Sequence, residues 1–153
     1  MQPTPGNCSW LHDLLLVRTR GKGLYEITHE VEERLRLQPG SFGLCHLYLP
    51  HTSASLLINE SYDPSARRDL ESFLERLVPE NQAWMSHTLE GPDDSSSHLR
   101  AALLPISLSI PLENGRLALG RWQGIYLVEH RSGGRERQVR LDVLLFHTGE
   151  RER

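Results

Sequence analysis

Four extended runs, at residues 106–111, 116–119, 124–130 and 138–147, fill the second half of this 153-residue chain. Glu113-Asn114-Gly115 and Ser132-Gly133-Gly134 read as hairpin turns between them. A hairpin reverses the chain, so most strands are expected to be antiparallel. The first half adds a strand over residues 11–20, where Leu14 to Val17 form an apolar run that Gly21-Lys22-Gly23 ends. Two more extended runs follow at 41–50 and 55–59.

Helical signals interrupt the strands. Ile27, Val31 and Leu35 recur every four residues around Thr28 as a candidate N-cap, and Pro39-Gly40 stops the segment. Asp63-Pro64 is the stronger start, with a capping carboxylate and proline at the first helical position. Ala66, Leu70, Phe73, Leu74 and Leu77 then share one face until Pro79. Residues 80–97 are rich in Ser, Asp, Gly and Pro and read as a loop, leading to a short helix over 98–104. The expected class is α+β.

A length of 153 residues fits one domain, 1–153, and no linker divides it. No apolar run approaches the roughly 20 residues of a membrane span. The stretch up to Trp10 has no basic segment of the kind that opens a signal peptide, so a cytoplasmic protein is expected. Cys8 and Cys45 lack CxxC spacing. A net charge of −3 with scattered arginines offers no field for a polyanion, which argues against nucleic acid and leaves a small molecule as the expected ligand.

Eight histidines are available, and three stand at loops or element ends: His51, His87 and His98. Asn59, Glu60 and Asp63 follow the first, while Glu90, Asp93 and Asp94 lie between the other two. Imidazole with carboxylate suits zinc, and carboxylate with water suits magnesium or manganese. Three histidines leave a coordination position open, so His51, His87 and His98 are the expected metal ligands, with Glu60 and Asp94 as further ligand or base. The spacing matches neither HExxH nor a zinc finger. Asp63 also reads as a helix cap, and Glu60 as favourable charge beside it. Trp122 offers a stacking surface, and Gln123 both a donor and an acceptor. His12, His29, His46 and His147 read as structural or surface residues.

Taken in order, His51-Thr-Ser-Ala-Ser-Leu-Leu-Ile-Asn-Glu60, Asp63-Pro64, Glu90-Gly91-Pro-Asp-Asp-Ser-Ser-Ser-His98, Gly115-Arg116-Leu117 and Gly120-Arg-Trp-Gln-Gly124-Ile125 resemble the YjbQ family over most of the chain. The resemblance implies a β-sandwich-like core with flanking helices, usually a homotrimer. It places Asn59, Trp122, Gln123 and Glu129 beside the candidate ligands as substrate contacts. It also implies the activity for which the family is named, secondary thiamine-phosphate synthesis. That reaction couples hydroxymethylpyrimidine diphosphate with thiazole phosphate. The residues 92–97 and Arg121 depart from the family's commoner pattern. A phosphate-cradling glycine loop is missing from the sequence, so a metal-assisted hydrolase with Glu60 or Asp94 as base, or a non-catalytic metabolite binder, stands as the alternative. His46 and Tyr48, on one face of a strand, are the expected trimer contacts.

Overall fold

The computed structural model describes residues 8–146; residues 1–7 and 147–153, which include His147 and the charged end at 150–153, lie outside it. The elements run β1 (Cys8–Arg18), β2 (Gly23–Glu26), α1 (Thr28–Leu35), β3 (Phe42–Tyr48), β4 (Ala54–Glu60), α2 (Pro64–Leu77), α3 (Asp94–Leu103), β5 (Ser107–Glu113), β6 (Arg116–Leu117), β7 (Gln123–Glu129) and β8 (Glu136–Phe146). They form a five-stranded sheet, β1-β8-β3-β5-β6, and a three-stranded sheet, β2-β7-β4, with every ladder antiparallel. The fold is α+β, as expected, and no helix among the described residues is long and apolar enough to cross a membrane.

The sheets are held together by alternation. Cys45, Leu47, Val139, Leu141 and Val143 face inward from the five-stranded sheet and meet Ala54, Leu56, Ile125 and Leu127 of the smaller one, with Ile27 and Val31 closing one side. Burying a leucine or isoleucine side chain contributes about 2 kcal/mol, so this layer supplies most of the folding drive. The smaller sheet is also covered on its other face: Leu24, Tyr126 and Val128 pack against Leu74 of α2. β7 therefore reads as a continuous apolar run, buried on both sides, where a half-exposed strand would alternate. On the outer face of the five-stranded sheet Trp10, Leu14, Leu16, Leu44 and Tyr48 lie exposed among the described residues.

Local signals explain the boundaries. Asp63 is the α2 N-cap and accepts a hydrogen bond from Ser65 N at 2.8 Å, while Glu60 accepts from Tyr62 N and Asp63 N at 2.8 and 3.1 Å. Such a cap is worth about 1 kcal/mol. Asn114 (φ 52°) and Gly115 (φ 77°) form the expected two-residue β5–β6 turn.

Three readings are corrected. Thr28 is not the α1 N-cap: Ile27 holds that position, and the Thr28 hydroxyl instead accepts from Ile125 N at 2.9 Å, tying the helix to β7. Ser132-Gly133-Gly134 is no hairpin turn, because β7 and β8 belong to different sheets; the segment carries the chain from one layer to the other beside Thr19. The loop expected through residue 97 ends earlier, since α3 starts at Asp94. Serines are weak inside helices but suit first turns. Here the Ser96 and Ser97 hydroxyls donate to Asp93 O at 3.0 and 2.5 Å.

Candidate metal centre

The early start of α3 decides the site. Asp94 and His98 fall one turn apart on the same helix face, and His87 approaches them from the preceding loop. One ligand atom from each of His87, Asp94 and His98 lies within 4.8 Å of the others. His87 Nε2 stands 2.6 Å from Asp94 Oδ2, and His98 Nε2 stands 3.3 Å from Asp94 Oδ1. Asp94 itself is enclosed, while both histidines reach solvent.

The tautomer of His98 follows from its partner. Its Nδ1 lies 2.8 Å from Thr52 O, and a carbonyl only accepts, so Nδ1 carries the proton and Nε2 presents its lone pair to the cluster. This is how metal-ligating histidines are commonly oriented. Asp94 Oδ2 is buried without a hydrogen bond, and its contact with His87 lacks hydrogen-bond alignment. A buried carboxylate oxygen with no hydrogen bond, set against an imidazole, is costly unless a proton or cation shares the space. Two imidazoles and one carboxylate suit zinc, and the donor set fits.

Beneath the cluster is a buried ionic frame. Arg131 ion-pairs with Asp94 and reaches Asp93 Oδ2 at 3.2 Å and Glu90 O at 2.8 Å. Burial pushes the Asp93 carboxyl up, but the Ser132 N–H and the Arg131 guanidinium outweigh it and hold the group below the usual carboxylate range. Glu129 is fully buried and takes a two-pronged contact from Arg137 at 2.6 and 2.7 Å, with Thr19 and Arg131 N as further donors. Both its oxygens are therefore engaged within the chain, and the Arg131 N–H ties Glu129 to the frame under the cluster.

Other expected site residues lie elsewhere. His51 lines the same open cavity of about 690 Å³ as His87 and His98, but its Nε2 accepts from Gln138 N at 2.9 Å. Partial burial, then Arg137, holds the His51 imidazole below its ordinary value. Asn59 and Glu60 sit at the far end of β4, opposite Gly124 and Gln123, six strand positions and about 20 Å from Ala54. Glu60 thus does not join the histidines within one chain. There Trp122 packs edge-on against Tyr62 at 4.7 Å under the Arg121 guanidinium, and Gln123 Oε1 accepts from Gly120 N at 2.8 Å.

The family described as UPF0047 protein YjbQ-like matches residues 12–145. The chain belongs to this family. Among YjbQ-like relatives, a UPF0047 protein YjbQ of Salmonella typhimurium is 43% identical over 131 residues, covering 85% of this chain and 94% of that one. A UPF0047 protein of Synechocystis is 40% identical, covering 86% and 89%. Two solved structures share the fold. A conserved hypothetical protein from Thermus thermophilus has TM-score 0.74 and 38% identity, covering 83% of this chain and 95% of that one. A YbjQ-like protein of unknown function from Sulfolobus solfataricus has TM-score 0.79 and 25% identity, covering 90% and 99%.

Sequence reasoning passed over Arg131 and Arg137, which organise this YjbQ-like site. Both sit in a polar stretch, residues 130–137, that reads as a solvated turn and strand start. The signal that was present is the set of carboxylates at residues 93, 94 and 129, which cannot be buried without cations.

Proposed function

We propose that the chain is a divalent-metal-dependent transferase acting on a diphosphate ester, with zinc as the first choice of ion and magnesium or manganese as the alternative. The observation that carries the reading is the buried Asp94 carboxylate at the edge of an open cavity, with Oδ1 against His98 and Oδ2, which has no hydrogen bond, against His87. His87, Asp94 and His98 would hold the ion. Bound there, it supplies charge neutralisation for a departing pyrophosphate. Leu99, Ala102 and Ile106 give the open cavity apolar walls that suit flat rings.

The coupling of hydroxymethylpyrimidine diphosphate with thiazole phosphate fits these requirements. The pyrimidine methylene carbon loses pyrophosphate, and the thiazole nitrogen takes its place. Hydrolysis is the second reading: within one chain Glu60 stands at the other end of β4, opposite Gln123, and could act as base only where a neighbouring copy brings both across. With metal and both substrates, the purified protein is expected to form thiamine phosphate and pyrophosphate. Hydroxymethylpyrimidine phosphate with inorganic phosphate would instead mark a hydrolase, and bound but unchanged substrate a metabolite-binding protein.

Replacing His87, Asp94 or His98 by Ala is expected to remove most bound metal, read by elemental analysis after gel filtration. A full equivalent in all three variants would sink the cation reading.

Assembly as a homotrimer is part of the same proposal. Trp10, Leu14, Leu44 and Tyr48 leave an apolar sheet face exposed, with His46 among them, and a face of this kind is usually covered in assemblies. Within one chain Trp122 and Gln123 are too far from the cluster to share a small ligand with it. They serve as substrate contacts only where a neighbouring copy brings them across. Light scattering is expected to give three times the 17.5 kDa chain mass; the mass of one chain refutes the trimer.

A further inference from the structure

We propose that His51 is a ligand-binding donor, holding a phosphoryl oxygen of the substrate through Nδ1–H, and is not a ligand of the cation. The proposal rests on reading His87, Asp94 and His98 as the cation site and adds to it the group that grips the anion beside the cation.

A backbone N–H only donates, so the Gln138 N–H at 2.9 Å fixes His51 Nε2 as the nitrogen with the lone pair. A neutral imidazole has one proton, which therefore sits on Nδ1. Coordination through Nδ1 would need that proton removed, and coordination through Nε2 would displace the Gln138 bond. His98 shows the opposite arrangement: its proton is spent on Thr52 O and its lone pair faces the cluster. Two histidines of one cavity are thus preset by backbone groups for different tasks. Thr52 links them, because it adjoins His51 in the chain and anchors His98 through its carbonyl.

The His51 Nδ1–H has no partner among the described residues, although the ring lines the cavity. Burial and the nearby Arg137 guanidinium favour the neutral ring, which keeps Nε2 an acceptor. The class of ligand follows from what else lines the space. No Lys or Arg is among the lining residues, while Thr52, Ser95 and the imidazoles are. An anionic oxygen entering there meets a cation on one side and a neutral N–H on the other. A phosphoryl group, with several acceptor oxygens on one centre, engages both together.

Two measurements test this. In the metal-free protein, ring-nitrogen NMR of His51 is expected to show protonated Nδ1 and bare Nε2; the reverse tautomer overturns the proposal whatever the metal does. Inorganic pyrophosphate is then titrated calorimetrically into protein carrying one equivalent of zinc. A hydrogen bond to a charged acceptor is worth enough that His51→Ala is expected to weaken pyrophosphate binding about tenfold or more, with zinc content unchanged. His51→Gln, whose amide can both accept from Gln138 N and donate onward, is expected to recover most of the loss. Zinc lost from His51→Ala, equal affinity in parent and His51→Ala, or no pyrophosphate binding to the zinc-loaded parent each overturns the assignment. Failure of the parent to take up zinc overturns the cation reading instead, and the ring-nitrogen result still decides the role of His51.

Discussion

Arg137→Met is expected to lower the unfolding free energy by about 3–5 kcal/mol, a large part of the stability of a domain this size. Arg137 meets both oxygens of Glu129, which has no exposure to water. Removing the guanidinium leaves a carboxylate enclosed with only the Thr19 hydroxyl and the Arg131 N–H for company. Arg137 also donates to Ser53 Oγ at 3.0 Å, so the change loosens the chain just before β4. Urea denaturation reads the cost. The double variant Glu129→Gln with Arg137→Met removes the orphaned charge and is expected to regain much of it. A single-variant cost below about 1 kcal/mol would mean that water reaches Glu129 and that the frame is not a closed one.

Acid is expected to weaken the fold well before the carboxylates titrate. His130 is buried against Ser55 Oγ at 2.9 Å, and burial first, then Arg100, lowers its pKa to about 4. In the unfolded chain the same group titrates near about 6.5. Between those values the unfolded state binds the proton and the folded state does not. The stabilisation is therefore complete above about pH 6.5 and is lost as pH falls toward about 4, up to about 3 kcal/mol. His51, held low by partial burial, acts in the same direction. Asp13, Asp63 and Asp93 are held below the ordinary value for aspartate, so their losses come at lower pH. His130→Gln is expected to flatten the stability curve between pH 6.5 and 4 whatever it does to the plateau. An unchanged slope would show that His130 accepts its proton in the folded state.

What the sequence disclosed depended on how local the cause was. Asp63-Pro64 and Asn114-Gly115 act through their own backbone, and both were legible. β2 was passed over because four residues between Gly23 and Glu26 carry too little pattern, and only pairing with β7 makes them a strand. Ser132-Gly133-Gly134 has the composition of a hairpin turn, yet its direction is set by two sheets that must pack, a fact no short window contains. At the site, the sequence singled out His51, His87 and His98 as ligands and Asp94 as ligand or base; the fold brings His87, Asp94 and His98 together. Their separation from Glu60 and Trp122 was not legible, since residues 51–60 are close in sequence while a strand holds their ends far apart. His51 lies outside that cluster, and its Nε2 accepts from an amide at Gln138, eighty-seven positions away, a contact no short window contains.

The placement of Asp94 and His98 on a single helical turn bears on how this site can change over evolutionary time. Their separation is inherited from helix pitch, which no remodelling of neighbouring segments alters. His87, by contrast, rides on a connecting segment outside any helix or strand. Insertions or deletions there would shift the third ligand and the cavity mouth while leaving the helical pair untouched. Relatives with diverged specificity are thus expected to vary first in the spacing before α3, and to conserve the four-residue interval within it.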